Sequence, residues 1–256
     1  MKDILEQYGK LLRQVDAWFA RCMERFPSEI ACASGCSECC RGLFDITLLD
    51  AAYLKSGFEL LSAAARRRVT EKARVRLAGL QQIWPDFVPP YLLNCRPEEE
   101  WEELMPDDDE TPCVLLGNDG RCLVYDHRPM TCRLHGLPLI DLSGDVMHDE
   151  WCTLNFTGTD PLALEELRGE FRTLFREELL LFRECVRTLF GQSCNEIDTF
   201  IPTALLIDFR KFDWQSWRAE HRSLFETEKP ACASERENLE KGERDSGGER
   251  GIDEAL

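Results

Sequence analysis

Apolar residues at Ile4, Leu5, Tyr8, Leu11, Leu12, Val15, Trp18, Phe19, Cys22 and Phe26 recur at three- and four-residue steps and stop at Pro27. That spacing predicts one amphipathic helix over residues 1–26, laid with its stripe on a core. A helix is predicted to start near Thr47 or Asp50, and a further helical pattern runs from about Phe58 to Ile83, with a kink near Arg68. From Pro161 to Phe190 the residues Leu164, Leu167, Phe171, Leu174, Phe175, Leu179, Phe182, Val186 and Leu189 again keep a helical period.

Between these helices the pattern changes. Val114-Leu115-Leu116 and Leu123-Val124-Tyr125 flank Asn118-Asp119-Gly120, which reads as a short β-hairpin over residues 113–125. Residues 84–112 read as an irregular Pro-rich insertion whose nine acids between Glu98 and Glu110 form a solvated face. Residues 200–225 hold a short apolar segment and the aromatics Trp214, Trp217 and Phe225. Past Glu226 apolar residues nearly vanish, and 226–256 is expected to be a disordered acidic tail. The expected organisation is one domain over 1–225, with no internal repeat. Its fold class is mainly α, with helices around an irregular, metal-organised, cysteine-rich centre and one short β-hairpin.

Charge narrows the range of partners. The chain has 31 Lys+Arg against 48 Asp+Glu, a net charge of −17 over 256 residues. A polyanion is repelled by that balance, so no nucleic acid is expected, and anionic lipid is disfavoured for the same reason. No apolar stretch approaches the roughly 20 residues that cross a bilayer. Met1-Lys2-Asp3-Ile4-Leu5-Glu6-Gln7 lacks the features of a signal peptide. The expected address is therefore cytoplasmic, where thiols stay reduced.

That address makes the 13 cysteines informative. Cys32, Cys36, Cys39 and Cys40 form a Cys-x3-Cys-x2-Cys-Cys block, and Cys113, Cys122 and Cys132 form a second, Cys-x8-Cys-x9-Cys. Thiolates a few residues apart on a turning loop converge on one metal, which is why such spacings recur in zinc and iron–sulfur sites. The second block closes a loop of about 70 residues onto the first, at an entropic cost that grows only slowly with length. The predicted hairpin would bring Cys113 and Cys122 to one end of a ribbon, and Arg128-Pro129 would turn Cys132 back towards them. Gly35 and Gly42 flank the first block, where a close backbone approach excludes a Cβ.

Cys36-Ser37-Glu38-Cys39-Cys40, followed by Cys113 and by Cys122-Leu123-Val124-Tyr125-Asp126-His127-Arg128-Pro129-Met130-Thr131-Cys132-Arg133, resembles the YkgJ-type CxxCxxCC cysteine-cluster family over roughly residues 30–152. The x3 spacing between Cys32 and Cys36 departs from the family's x2, and His135 stands where an aromatic residue is expected. The resemblance implies a zinc- or iron-chelating centre without fixing a reaction. Relatives resembling flagellin lysine methylases imply a protein-modifying enzyme as one alternative.

Adding Cys152 to the two blocks makes eight candidate metal ligands: Cys32, Cys36, Cys39, Cys40, Cys113, Cys122, Cys132 and Cys152. Eight thiolates exceed the four that one zinc or one cubane cluster takes. Two centres, or one centre with surrounding thiols, both satisfy the count. Arg41, Arg128 and Arg133 lie close in sequence and would offset thiolate charge. The expected cofactor is an iron–sulfur cluster in a redox, oxidoreductase-type role, with a structural zinc in an interaction protein as the alternative. The expected partner is another protein or a basic substrate drawn to the acidic run. Cys22 and Cys185 read as small core residues and Cys232 as incidental, while Cys95 and Cys194 stay open.

Overall fold

The computed structural model describes residues 1–225 apart from Ser34 and Asp107, so the expected acidic tail and Cys232 lie outside the described residues. About half of the described residues are helical, and among them the strands form only two short antiparallel pairs. The mainly α class predicted from the apolar periodicity is what the chain adopts.

The first helix, α1 (Lys2–Arg25), buries the predicted stripe of Ile4, Tyr8, Leu11, Leu12, Val15, Trp18 and Cys22. A three-residue strand, β1 (Asp45–Thr47), leads directly into α2 (Leu48–Leu60), whose first turn is capped by the Thr47 hydroxyl accepting from the Asp50 N–H at 3.1 Å. Helix α2 is buried over most of its length, so it carries apolar residues all round rather than on one stripe. A break at Leu61-Ser62 precedes α3 (Ala63–Ile83). The expected kink near Arg68 is absent; the break falls instead at Ser62, six residues earlier, which caps α3 by accepting from the Ala65 N–H at 3.2 Å.

The 84–112 segment is irregular, as predicted, with a short helix α4 (Glu98–Glu102). It is not merely a solvated insertion, however. Trp84, Phe87, Leu93, Trp101 and Leu104 build a second apolar cluster with Leu43, Leu80 and Phe200, and the Trp84 and Phe87 rings stack at 4.6 Å. Beyond it come α5 (Met130–Leu134) and the hairpin of β2 (Leu139–Ile140) and β3 (Val146–His148).

The short hairpin therefore lies at 139–148 rather than at the predicted 113–125. In the latter segment a single bridge joins Leu116 and Cys122, supported by Leu123 N–H donating to the Leu115 carbonyl at 2.9 Å. Pairing stops there because the Cys113 N–H is committed to the Cys40 carbonyl at 2.8 Å and the chain enters a 3₁₀ turn at Tyr125.

Helix α6 (Phe171–Phe190) starts ten residues later than the pattern from Pro161 suggests. The preceding stretch is held out of the helix by Trp18 Nε1–H donating to the Leu167 carbonyl at 2.8 Å and by Gly169 pairing with Ile140. Gly191, at φ +74°, ends α6 in the left-handed conformation that glycine supplies without strain. Strand β4 (Asp198–Phe200) then pairs with β1, Ile46 opposite Thr199, before α7 (Ile201–Ala204) and α8 (Trp214–Glu220) close the chain.

The main core is α2 set among α1, α6 and α7, and one polar knot ties three of its elements. Tyr8 donates to Asp50 at 2.7 Å and Glu178 lies 3.0 Å from the same hydroxyl, while Asp50 also accepts from the Met130 N–H at 2.9 Å. The start of α5, and with it Cys132, is thereby fixed to the core.

Candidate metal centre

The two cysteine blocks meet through their backbones. Cys113 N–H donates to the Cys40 carbonyl at 2.8 Å, Gly42 N–H donates to the Thr111 carbonyl at 2.8 Å, and Arg41 bridges Pro112. The 70-residue loop is thus closed by a short antiparallel zipper. The Asn118–Gly120 turn also packs on the first block. A Cβ on Gly120 would stand 2.8 Å from the Gly35 carbonyl oxygen, and both glycines have positive φ. The close approach predicted for Gly35 is therefore to this turn, not directly to a metal. For Gly42, at φ +72°, the neighbour is the Asp109 carbonyl.

Electrostatic neighbourhoods divide the eight candidate thiols into two sets. Cys40 is acted on by Cys113, Cys132 and Cys122, and Cys132 in turn by Cys113 and Cys122. Cys32 is acted on by Cys152, Cys36 and Cys39. The sets touch at Cys39 and Cys40, whose side chains share a hydrogen bond in which Cys39 keeps its proton; this pushes Cys39 well up and pulls Cys40 down. Burial raises the others: Cys113 is pushed up to about 11, Cys122 is raised, and Cys132 lies well above the usual thiol range. In the absence of a metal these three thiols hold their protons, and ligation has to displace them. Cys36 is exposed, and the other seven candidates are half-buried.

Two arginines stand against the first set. Arg133, 5% exposed, donates to the Arg128 carbonyl at 3.0 Å and to the Asp126 carbonyl at 2.8 Å, and pairs with Asp16. Arg128 lies over the Tyr125 ring at 3.8 Å, and its positive charge lowers Cys39, Cys122 and Cys132. Its Nε is buried without a hydrogen-bond partner among the described residues. A buried cationic N–H of this kind calls for an acceptor, and a metal-bound sulfur supplies one.

No three His, Cys, Asp or Glu side chains among the described residues close on one point tightly enough to hold an ion as they stand. The donor chemistry nonetheless fits a thiolate-bound metal. Thiols from three chain segments share one neighbourhood, with guanidinium charge to balance them and one orphaned donor to satisfy.

Sequence reasoning missed Asn155. It is 1% exposed and stitches the second set together: Oδ1 accepts from the Ala31 N–H at 2.8 Å, and Nδ2 donates to the Gly136 carbonyl at 2.7 Å and to the Cys32 sulfur at 3.5 Å. Cys152 N–H donates to the same Gly136 carbonyl. Gly136, at φ +110°, leaves only 3.5 Å between a would-be Cβ and the Cys32 sulfur. The only hint in the sequence is the short interval between Cys152 and Asn155. The histidines have other settings: His127 stacks on Tyr53 at 5.0 Å, and His135 meets Phe44 edge-on and lines a neighbouring cavity. Cys22 and Cys185 are buried on α1 and α6 as predicted, Cys194 is buried near the Glu196 carbonyl, and Cys95 sits at the surface.

The chain matches a family model over residues 31–153, described as "CxxCxxCC: Putative zinc- or iron-chelating domain". That span begins one residue before Cys32 and ends one residue after Cys152, enclosing all eight candidate thiols. The match spans just under half of the chain and makes residues 31–153 similar to the CxxCxxCC family. No curated protein and no solved structure matches the chain. The CxxCxxCC segment includes α2 and α3 as well as both cysteine blocks, so the family's pattern covers the scaffold that closes the loop. No described helix is long and apolar enough to cross a membrane.

Proposed function

We propose that this protein carries an iron–sulfur centre on Cys40, Cys113, Cys122 and Cys132 and works as a redox protein in the reducing cytoplasm. The partnerless Nε of Arg128, whose charge acts on Cys122 and Cys132, is the observation that carries the reading. When bound, such a centre takes up and releases single electrons. The chain's own residues do the rest. Arg128 and Arg133 offset the thiolate charge, and the Cys40–Cys113 zipper fixes the distance between the two blocks. Asp50, by holding the Met130 N–H, keeps Cys132 on a rigid element. Cys32, Cys36, Cys39 and Cys152 complete the thiol complement. Anaerobic purification followed by iron, acid-labile sulfide and zinc analysis tests the proposal. Brown protein with iron and sulfide in comparable amounts supports it, and colourless protein carrying stoichiometric zinc replaces it with a structural zinc site.

A second reading, a protein-modifying enzyme acting on a basic substrate, is favoured by one cavity. A space of about 630 Å³ beside α5 is lined by Asp45, Asp50, Glu178 and Asp198, together with His135 and His148. Burial raises all four carboxyls, so a cationic side chain entering there would draw them into the ionised form. Binding of a lysine-rich peptide that fails in an Asp198→Asn variant supports this reading.

A further inference from the structure

An apolar trough of about 1020 Å³ runs beside α3, floored by Leu43, Leu80 and Leu104; Phe44 lines both it and the carboxylate cavity, and Cys113 lines it as well. The α3 side is mainly basic: Arg68, Lys72 and Arg76 line the trough beside the single acid Glu71, and Arg66, Arg67 and Arg74 stand on the same helix, in a chain whose net charge is −17. Among the described residues only Arg76 of these six has a carboxylate partner, Asp109. On the facing side Glu103 and Asp109 line the trough, and Glu98, Glu99 and Glu102 on the adjoining α4, with Glu103 and Asp108, are exposed and have no ion pair among the described residues.

The helix between the walls is open as well. Val75 and Ile83 are 67% and 68% exposed, and with Gly79 they form one stripe at four-residue steps along the trough. Gly79 is a mid-helix glycine with nothing within 4 Å of a would-be Cβ. Glycine weakens a helix interior relative to alanine, and no neighbour within the described chain requires it there. A glycine in that setting suits close approach by a surface from outside the chain.

We propose that a second copy of this chain covers the trough, forming a two-fold dimer in which α3 of each copy lies against the 98–110 wall of the other. A two-fold axis along the trough sets each basic wall on an acidic one, and a two-fold contact needs this kind of self-complementary patch. Two chains of net charge −17 repel at long range, but screening with a Debye length of about 8 Å at physiological salt leaves the facing walls and the apolar floor to decide the contact. The inference is independent of which metal the cysteines hold.

Light scattering and sedimentation velocity on the full chain, over a wide range of concentration, test it. The expected result is a species of twice the 29.5 kDa chain mass whose population rises with concentration. Gly79→Leu fills the open stripe without a clash inside the chain and should leave monomer whose circular dichroism keeps the wild-type helical content. Arg68→Glu/Lys72→Glu and Glu99→Lys/Glu103→Lys should each be monomeric alone and form a heterodimer when mixed. Wild-type protein at chain mass throughout, a dimer that survives Gly79→Leu, or charge variants that fail to pair on mixing each overturn the proposal.

Discussion

Asn155 donates its Nδ2–H to the Cys32 sulfur at 3.5 Å while the same amide group holds the Gly136 carbonyl at 2.7 Å. One buried side chain therefore joins the first cysteine block, the turn after α5 and the approach to Cys152. Removing it takes the acceptor from the part-buried Ala31 N–H and leaves the Gly136 carbonyl only the longer bond from the Cys152 N–H at 3.3 Å. Asn155→Ala should lower unfolding free energy by about 1–3 kcal/mol. It should also speed alkylation of Cys32 and Cys152 while leaving Cys132 slow. Urea titration and timed mass spectrometry of iodoacetamide-treated protein check both, and equal alkylation rates in variant and wild type would remove Asn155 from the site.

Gly136 carries a related prediction. Its φ of +110° leaves an L side chain strained, although a Cβ there would make only ordinary contact with the Cys32 sulfur at 3.5 Å. Gly136→Ala should destabilise the fold by about 1–3 kcal/mol, whereas Gly158→Ala, with nothing within 4 Å of its would-be Cβ, should not. The comparison of the two unfolding midpoints separates a local requirement from a general intolerance of alanine.

How much of this was legible beforehand depends on the distance over which each contact acts. The α1 stripe and the Thr47 cap are written in neighbouring residues and were read correctly. The family resemblance rested on near-contiguous spacings and held. The hairpin at 113–125 failed because the Cys113 N–H pairs with Cys40, 73 residues away, and no local pattern records that bond. The late start of α6 has the same origin, since Trp18 and Ile140 hold the 167–169 backbone from outside. Asn155 was invisible for the reason that a lone Asn carries no period. The eight candidate thiols stand in the sequence, but their division into two neighbourhoods is a property of the packed turns around Gly35, Gly120 and Gly136.

Replacing thiols sorts these neighbourhoods. Cys40→Ser, Cys113→Ser, Cys122→Ser and Cys132→Ser should each abolish or strongly reduce metal per chain and lower the thermal midpoint, because ligation is coupled to folding. Cys22→Ala and Cys185→Ala remove core sulfurs remote from the site and should keep full metal content at a modest stability cost. Elemental analysis decides it. Full loading of the Cys122 and Cys132 variants would move the centre elsewhere.

Asp198 sets a pH dependence. Burial pushes its carboxyl up to about 7, against about 4 in an unfolded chain. The folded state thus binds the extra proton between those values. Its contribution is fully present below the unfolded value, declines as pH rises, and is lost once pH passes the folded one. Denaturant midpoints should therefore fall between pH 5 and pH 8, and Asp198→Asn should flatten that fall by an amount on the order of 1–3 kcal/mol. An unchanged slope in the variant would show that Asp198 is ionised in the fold.

Arg128 offers the sharpest separation of charge from shape. Its guanidinium covers the Tyr125 ring at 3.8 Å, acts on Cys39, Cys122 and Cys132, and leaves Nε without a partner. Arg128→Lys keeps the charge and loses the fixed N–H, whereas Arg128→Gln loses the charge. With an iron–sulfur centre bound, positive charge beside the thiolates favours the reduced, more negative state. The midpoint potential should therefore fall in Arg128→Gln and fall less in Arg128→Lys, with iron content retained in both. With zinc bound there is no potential to move, and both variants would differ from wild type only in the rate at which a chelator strips the metal. Redox titration of the three proteins under anaerobic conditions distinguishes these outcomes, and identical potentials across the series would place Arg128 outside the reach of the metal.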